Sequence, residues 1–412
     1  MNNKERDEKF LKSWLKKKIS ITTSTVVSFL ITGAIGGGAA YGATPGNKAG
    51  NGGNINSVAL GQGSSVDNDS VAVGANASAV SASAGNNPTV TSKGVAIGNN
   101  ATAKGSVSVG DLASSTHFGV AVGYNAGTQN TTTGYSFSNV TIGANTRVGV
   151  QGTQAAQGIA IGSGVHADEG AWAKGDQSIS IGANTTASGN SSIAIGGDDL
   201  LSVSTKTSSY SDARFDKNGN KIGGNSNNTA SINNIFNTLT GRGAILHQGT
   251  GTDGKFYTAW RNTESGQGAV ALGVKSISGD IALAIGTFSE ATGTNSVAIG
   301  TGAQTPQSGA VAIGGGSTTY GLQGRQITDA DIALTDGTTM ALTNFAGASG
   351  VLEGSMVSFG KIGNERQLKN IAPGAVSATS TDGINGSQLF AVAKKLGDDI
   401  SKFKYVSIKS ND

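Results

Sequence analysis

Val270-Ala271-Leu272-Gly273, Leu283-Ala284-Ile285-Gly286, Val297-Ala298-Ile299-Gly300 and Val311-Ala312-Ile313-Gly314 state one phrase four times: branched, small, branched, glycine. Upstream it reads SVALG at Ser57–Gly61, SVAVG at Ser70–Gly74, GVAIG at Gly94–Gly98, SVSVG at Ser106–Gly110 and GVAVG at Gly119–Gly123. NVTIG, GIAIG, SISIG and SIAIG follow, ending at Gly143, Gly162, Gly182 and Gly196, and a variant, MVSFG, ends at Gly360. The closest copies lie 12 to 14 residues apart. A fixed period of this kind is the mark of a repeat architecture.

Alternation of branched and small residues over about five positions describes a short strand with one large-residue face and one Ala/Ser face. The closing glycine tolerates positive φ and lets the chain turn at once. A period near 14 leaves room for two strands and two tight turns, so stacked circuits build an all-β solenoid. The reading places the branched side chains inside. The flat Ala/Ser face is then left for a second solenoid to lie against.

Composition supports a thin, elongated core. Of 412 residues 65 are glycine, only 5% are aromatic and 13% charged, too little large apolar material for one ordinary globular core. Without cysteine there are no disulfides, thiolate metal sites or thiol nucleophiles. The net charge of +3 comes from the N-terminus, where seven basic residues between Lys4 and Lys18 face three acidic ones, a surplus of four that leaves the remainder at −1. That removes the electrostatic case for nucleic acid as a partner.

Residues 1–43 read as a signal peptide, with a basic start, an apolar stretch and a small-residue exit, and 44–56 as a flexible leader. Head repeats occupy 57–196, with surplus residues placed as loops. The period then stops over 197–267, an insertion rich in aromatic and charged residues. Two hairpin signals, Asn218-Gly219 and Asp253-Gly254, mark it as folded. Phe256, Tyr257, Trp260 and Arg261 are its candidate ligand-binding residues, since aromatic and Arg side chains carry most interface energy; the competing reading makes the insertion's aromatics its own small core. Repeats resume over 268–314. In the head end, 315–360, Ile327, Ile332, Leu334, Met340, Leu342 and Phe345 imply a further packed element. After 361–387, Leu389, Leu396 and Phe403 recur every seven residues with Val392 between, so a coiled-coil seam begins in 388–412.

The SVAIG-type repeats, then VSFG, ERQLKNIAPG and STDGINGSQL, then a coiled coil, resemble the head, neck and stalk start of the YadA-like trimeric autotransporter adhesins of Gram-negative bacteria. The resemblance implies a left-handed parallel β-roll head, three chains side by side, and a neck leading to a short C-terminal coiled-coil helix. It places Arg366, Asn370, Asp382 and Asn385 in the neck, as polar contacts between subunits. It also implies an exported protein at the bacterial cell surface, held in the outer membrane by C-terminal strands that this sequence does not include. Gly383-Ile384 stands where the family commonly has Ala-Val, and the insertion has no place in the basic head pattern.

Chemistry of other kinds finds little support. His117, His166 and His247 fall in different repeats or loops, so no metal or cofactor is expected and the chain is read as no enzyme. Asp329, Asp331 and Asp336 lack calcium-loop spacing and read as turn residues. Asp216–Asn220 reads as a hairpin turn before a cation site. The expected function is adhesion, with a homotrimer attaching to a host extracellular matrix protein or a host cell-surface receptor. By resemblance the ligand is collagen, fibronectin, laminin or a carcinoembryonic-antigen-type receptor. The alternative is a structural or self-associating surface protein without a host ligand.

Overall fold

A computed structural model describes residues 57–67, 69–84, 87–128, 137–150, 155–243 and 262–403. The expected signal peptide and leader lie outside these residues. Two compact units divide the chain, residues 1–124 and 125–412.

Both units are built from the same coil. A first strand carries the branched-small-branched phrase, a glycine turns the chain, a second strand of two or three residues runs on another sheet, and a second turn closes the circuit. In the first unit, Val58–Leu60, Val71–Val73, Val95–Ile97, Val107–Val109 and Val120–Val122 lie in that order in one parallel sheet. Ser65–Val66, Ser78–Val80, Thr102–Lys104 and Ser114–Thr116 form the other. The second unit repeats the plan from Val140–Ile142 to Val357–Ser358, so MVSFG is its last described rung.

Pairing is in register from coil to coil, small residue on small residue: Ala271 on Ala284, Ala284 on Ala298, Ala298 on Ala312. Only glycine serves at the turn. Gly286 and Gly300 have φ of +122° and +128°, and a Cβ on either would stand 2.7 Å and 2.5 Å from the carbonyl carbon of the next turn glycine.

The orientation of the rungs overturns the expectation from sequence. The middle residues, Ala72, Ala96, Ser108, Ala121, Ala160, Ser180, Ala194, Ala271, Ala284, Ala298 and Ala312, are fully buried, while the flanking branched residues point outward. Val58 and Ile97 are 41% and 40% exposed. The inner layer is closed by small side chains of the second sheet, such as Ala79 and Ala103 against Ala72 and Ala96. Where it is polar its hydroxyls pair: Ser108 Oγ lies 2.6 Å from Ser115 Oγ, and Ser180 Oγ 2.7 Å from Thr185 Oγ1. Ala, Ser and Thr fill almost all of the space between the sheets; among the described residues Val148 is the one fully buried Val or Ile. The branched side chains, and not the Ala/Ser face, form the outer surface.

Among the described residues three α-helices interrupt or end the second unit: α1 (Leu201–Ser204), α2 (Ile232–Thr240) and α3 (Gly386–Phe403). The roll resumes earlier than the sequence period suggests. Thr263–Ser265 already pairs with Thr185–Ala187, so the insertion ends at 262 and not 267.

Candidate assembly and binding surfaces

The insertion departs and returns at one point of a coil. Thr263 Oγ1 donates to the Gly197 carbonyl at 2.8 Å and accepts from Gly197 N at 3.2 Å. Beside this junction Asp198 is buried, and burial pushes its carboxyl above the usual range against a hydrogen bond from Asn184. Beyond it, Thr207–Tyr210 pairs antiparallel with Asn228–Ser231, and Arg214–Phe215 with Lys221–Gly223. The Asn218-Gly219 hairpin is therefore present. Asn220 Nδ2 donates to Asp216 Oδ2 at 3.1 Å, and Asp216 Oδ1 accepts from Asn220 N and Asn218 N, both at 2.8 Å; these bonds hold its carboxyl below the usual range and fix the turn.

Helix α2 anchors the insertion on the roll. Ser231 caps its start by accepting from Asn234 N, and Gly241 ends it in the left-handed conformation. Phe236 packs with Leu200 and with Phe288 of the roll, the two rings 5.9 Å apart. Arg242 reaches Glu290 at 3.0 Å and lies 5.1 Å above the Phe288 ring. Two roll glycines make room: a Cβ on Gly302 would stand 3.1 Å from the Phe236 ring, and one on Gly316 would stand 2.5 Å from Thr240 Cα. Phe236 is thus core and not ligand surface. The candidates Phe256, Tyr257, Trp260 and Arg261 lie outside the described residues, as does the Asp253-Gly254 hairpin signal.

A second aromatic cluster escaped the sequence reading. Arg147 and Trp172 are partners in adjacent coils, and Lys174 follows two residues on along the strand direction. The Arg147 guanidinium and Lys174 ammonium each lie 4.2 Å from the Trp172 ring centre, and Trp172 Nε1 donates to the Gly149 carbonyl at 2.8 Å. Residues 25 apart in sequence gave no local signal, because an irregular loop between the coils hides their shared register.

Each of the four residues expected in the neck has a definite place within its own chain. Arg366 turns back on the end of the roll, donating to Ser317 Oγ, the Phe359 carbonyl and the Gly315 carbonyl at 2.7, 2.6 and 2.5 Å. Asp382 Oδ2 accepts from Ala375 N at 2.9 Å, and Asn385 Nδ2 donates to the Ile371 carbonyl at 3.1 Å. Asn370 contributes a backbone turn at φ +61°. Asn385 also opens α3 in a reciprocal cap: its Oδ1 accepts from Gln388 N, and Gln388 Oε1 accepts from Asn385 N. Gln388, which sequence reasoning passed over, further bonds both N and O of Gly374 and so closes the loop between residues 374 and 388.

On α3 the seam residues Leu389 and Leu396 are exposed, with Val392 and Ile400 beside them, and Phe403 ends the helix. Asp399, which interrupts the seam, pairs with Lys395 and Lys402. Among the described residues no helix is long and apolar enough to cross a membrane, and no three His, Cys, Asp or Glu side chains are grouped to hold a metal.

Geometry of this kind, short parallel rungs around an Ala/Ser core, defines a parallel β-roll. The family model for the YadA head domain repeat matches residues 54–77, 173–198, 278–303 and 291–317. The chain carries YadA head-domain repeats, which support its reading as a YadA-like trimeric autotransporter adhesin. It is also similar to the solved C-terminal YadA-like domain of a Burkholderia pseudomallei protein, at 22% identity, covering 48% of this chain and 71% of that one, with a TM-score of 0.22. No curated protein matches the chain.

Proposed function

We propose that three copies of this chain pack through their outward Val/Ile faces and present the insertion to a host extracellular matrix protein or host cell receptor. The observation that carries the assembly is the exposed branched ladder. Parallel sheets are ordinarily covered on both faces, and here one face of each rung meets only the Ala/Ser core while the apolar face meets solvent. Three such faces brought together bury the ladder, and the exposed seam of α3 has the same need.

The insertion is the favoured ligand surface because α2 fixes it to the roll by aromatic packing and a partly buried ion pair, which holds its far side at a constant orientation. Three copies multiply weak contacts by avidity. The neck residues Arg366, Asn370, Asp382 and Asn385 sit at the end of this assembly, where they shape the passage from roll to stalk.

A host-ligand array probed with the intact chain and with a form lacking residues 198–262 tests the reading. Binding by the intact chain and its loss on deletion, with the trimer retained, is the expected result. Unchanged binding moves the site to the roll, and clumping of expressing cells with no host ligand bound favours self-association.

A further inference from the structure

Between the last two rungs of the roll the chain leaves the sheet and comes back. Val311–Ile313 and Val357–Ser358 pair directly, yet the residues between them include an antiparallel hairpin, Ala330–Ala333 with Thr339–Leu342. The sequence reading took its apolar residues as a packed element. They are exposed instead.

The register explains what the hairpin offers. Ala330 faces Leu342 and Ile332 faces Met340, so these four side chains share one face, which Leu334 extends. The opposite face carries Asp331, Ala333, Thr339 and Ala341. On the apolar face Ile332, Leu334, Met340 and Leu342 are 38% to 43% exposed. A two-stranded ribbon is marginal in water unless its apolar face is covered. Yet this one is well fixed: Asp336 Oδ1 accepts from Thr338 N at 2.9 Å at the turn, where Gly337 has φ +83°, and Phe345 N donates to the Thr328 carbonyl at 3.0 Å at the base.

We infer that this hairpin is a clasp: its Ile332–Met340 face closes over a neighbouring copy of the same chain at the junction of roll and stalk. The inference rests on the trimer reading and adds to it an element outside the regular rungs. Continuity favours a second copy as the occupant. The hairpin springs from the two rungs whose outward Val311 and Val357 belong to the proposed contact ladder, and the exposed seam of α3 follows. Its composition agrees. The apolar face is aliphatic throughout, with none of the Trp, Tyr or Arg that dominate ligand hot spots, and permanently buried homomeric interfaces are the more apolar kind.

The test places a photoreactive benzophenone side chain at position 340 of the full chain, and in a control at position 218 in the insertion's hairpin turn. Light scattering is measured on both. The expected result is a trimer in which only the position-340 probe gives chain-to-chain adducts on denaturing gels. The double variant Ile332→Asp, Met340→Asp, with its β-sheet circular dichroism unchanged, should raise the concentration at which the trimer falls apart by at least about tenfold. A trimer whose position-340 adducts lie only within one chain, or arise only with an added host protein, overturns the clasp and leaves the trimer reading intact. A folded monomer overturns both.

Discussion

Inverting one rung tests the orientation of the roll. Ala298 is fully buried, stacked in register between Ala284 and Ala312 and packed with Ala291 and Ala303, so its surroundings offer no large side chain that could move aside. Ala298→Val adds two carbons there, and overpacking of this order costs about 1–3 kcal/mol, toward the upper end where both sheets are tied by backbone hydrogen bonds. Its neighbour Val297 is only partly buried in the chain. Val297→Ala removes two carbons at about half burial, roughly 0.8 kcal/mol within one chain at ~0.8 kcal/mol per fully buried methylene, with any further loss appearing in assembly. Denaturant unfolding followed by circular dichroism at several protein concentrations separates the two. Ala298→Val should lower stability at every concentration, and Val297→Ala chiefly where copies dissociate. If Val297→Ala cost several kcal/mol at all concentrations and Ala298→Val were neutral, the branched side chains would be the interior and the account of the coil would be wrong.

Other perturbations follow from the insertion, its junction and the stalk. Arg242→Ala leaves Glu290 in a mostly buried place without its guanidinium partner, a loss of about 3 kcal/mol; hydrogen exchange should show α2 opening while the rungs keep their protection. Gly316→Val sets a side chain against Thr240 at a φ of +68°, so α2 should undock, read as increased proteolysis of the insertion with the roll intact. At Asp198 burial raises the folded carboxyl pKa above its unfolded value, so the native state holds the proton more tightly and stability falls as pH rises from the ordinary aspartate range through the folded value. Asp198→Asn should flatten that slope in pH-dependent melting. Gln388→Ala removes the side-chain half of the reciprocal cap of α3 and the tie to Gly374, and should cost about 1–2 kcal/mol of helix stability by circular dichroism.

Much of the fold was legible because the coil is a local object. The phrase, its glycine and its spacing mark strand, turn and circuit, and in-register stacking follows from identical lengths. Which face points inward was not legible, since period-two alternation separates Val297 and Ile299 from Ala298 without saying which side is narrow. A large-residue core is the usual choice, and the closeness of the two sheets reverses it here. The end of the insertion was missed because Thr263–Ser265 belongs to the second strand of a coil, which has no fixed phrase. The hairpin at 330–342 was seen as apolar, but its lack of cover is a tertiary fact. Phe236, one of the insertion's aromatics, is an anchor on the roll, and the Arg147, Trp172 and Lys174 cluster became visible only through pairing between coils.

Light scattering of the intact chain in solution bears most directly on the claim that the outward Val/Ile ladder meets other copies of itself. A mass three times the 40.8 kDa of one chain is the predicted result. A folded species of 40.8 kDa that persists at micromolar concentration, with its branched rungs bare to water, would contradict it.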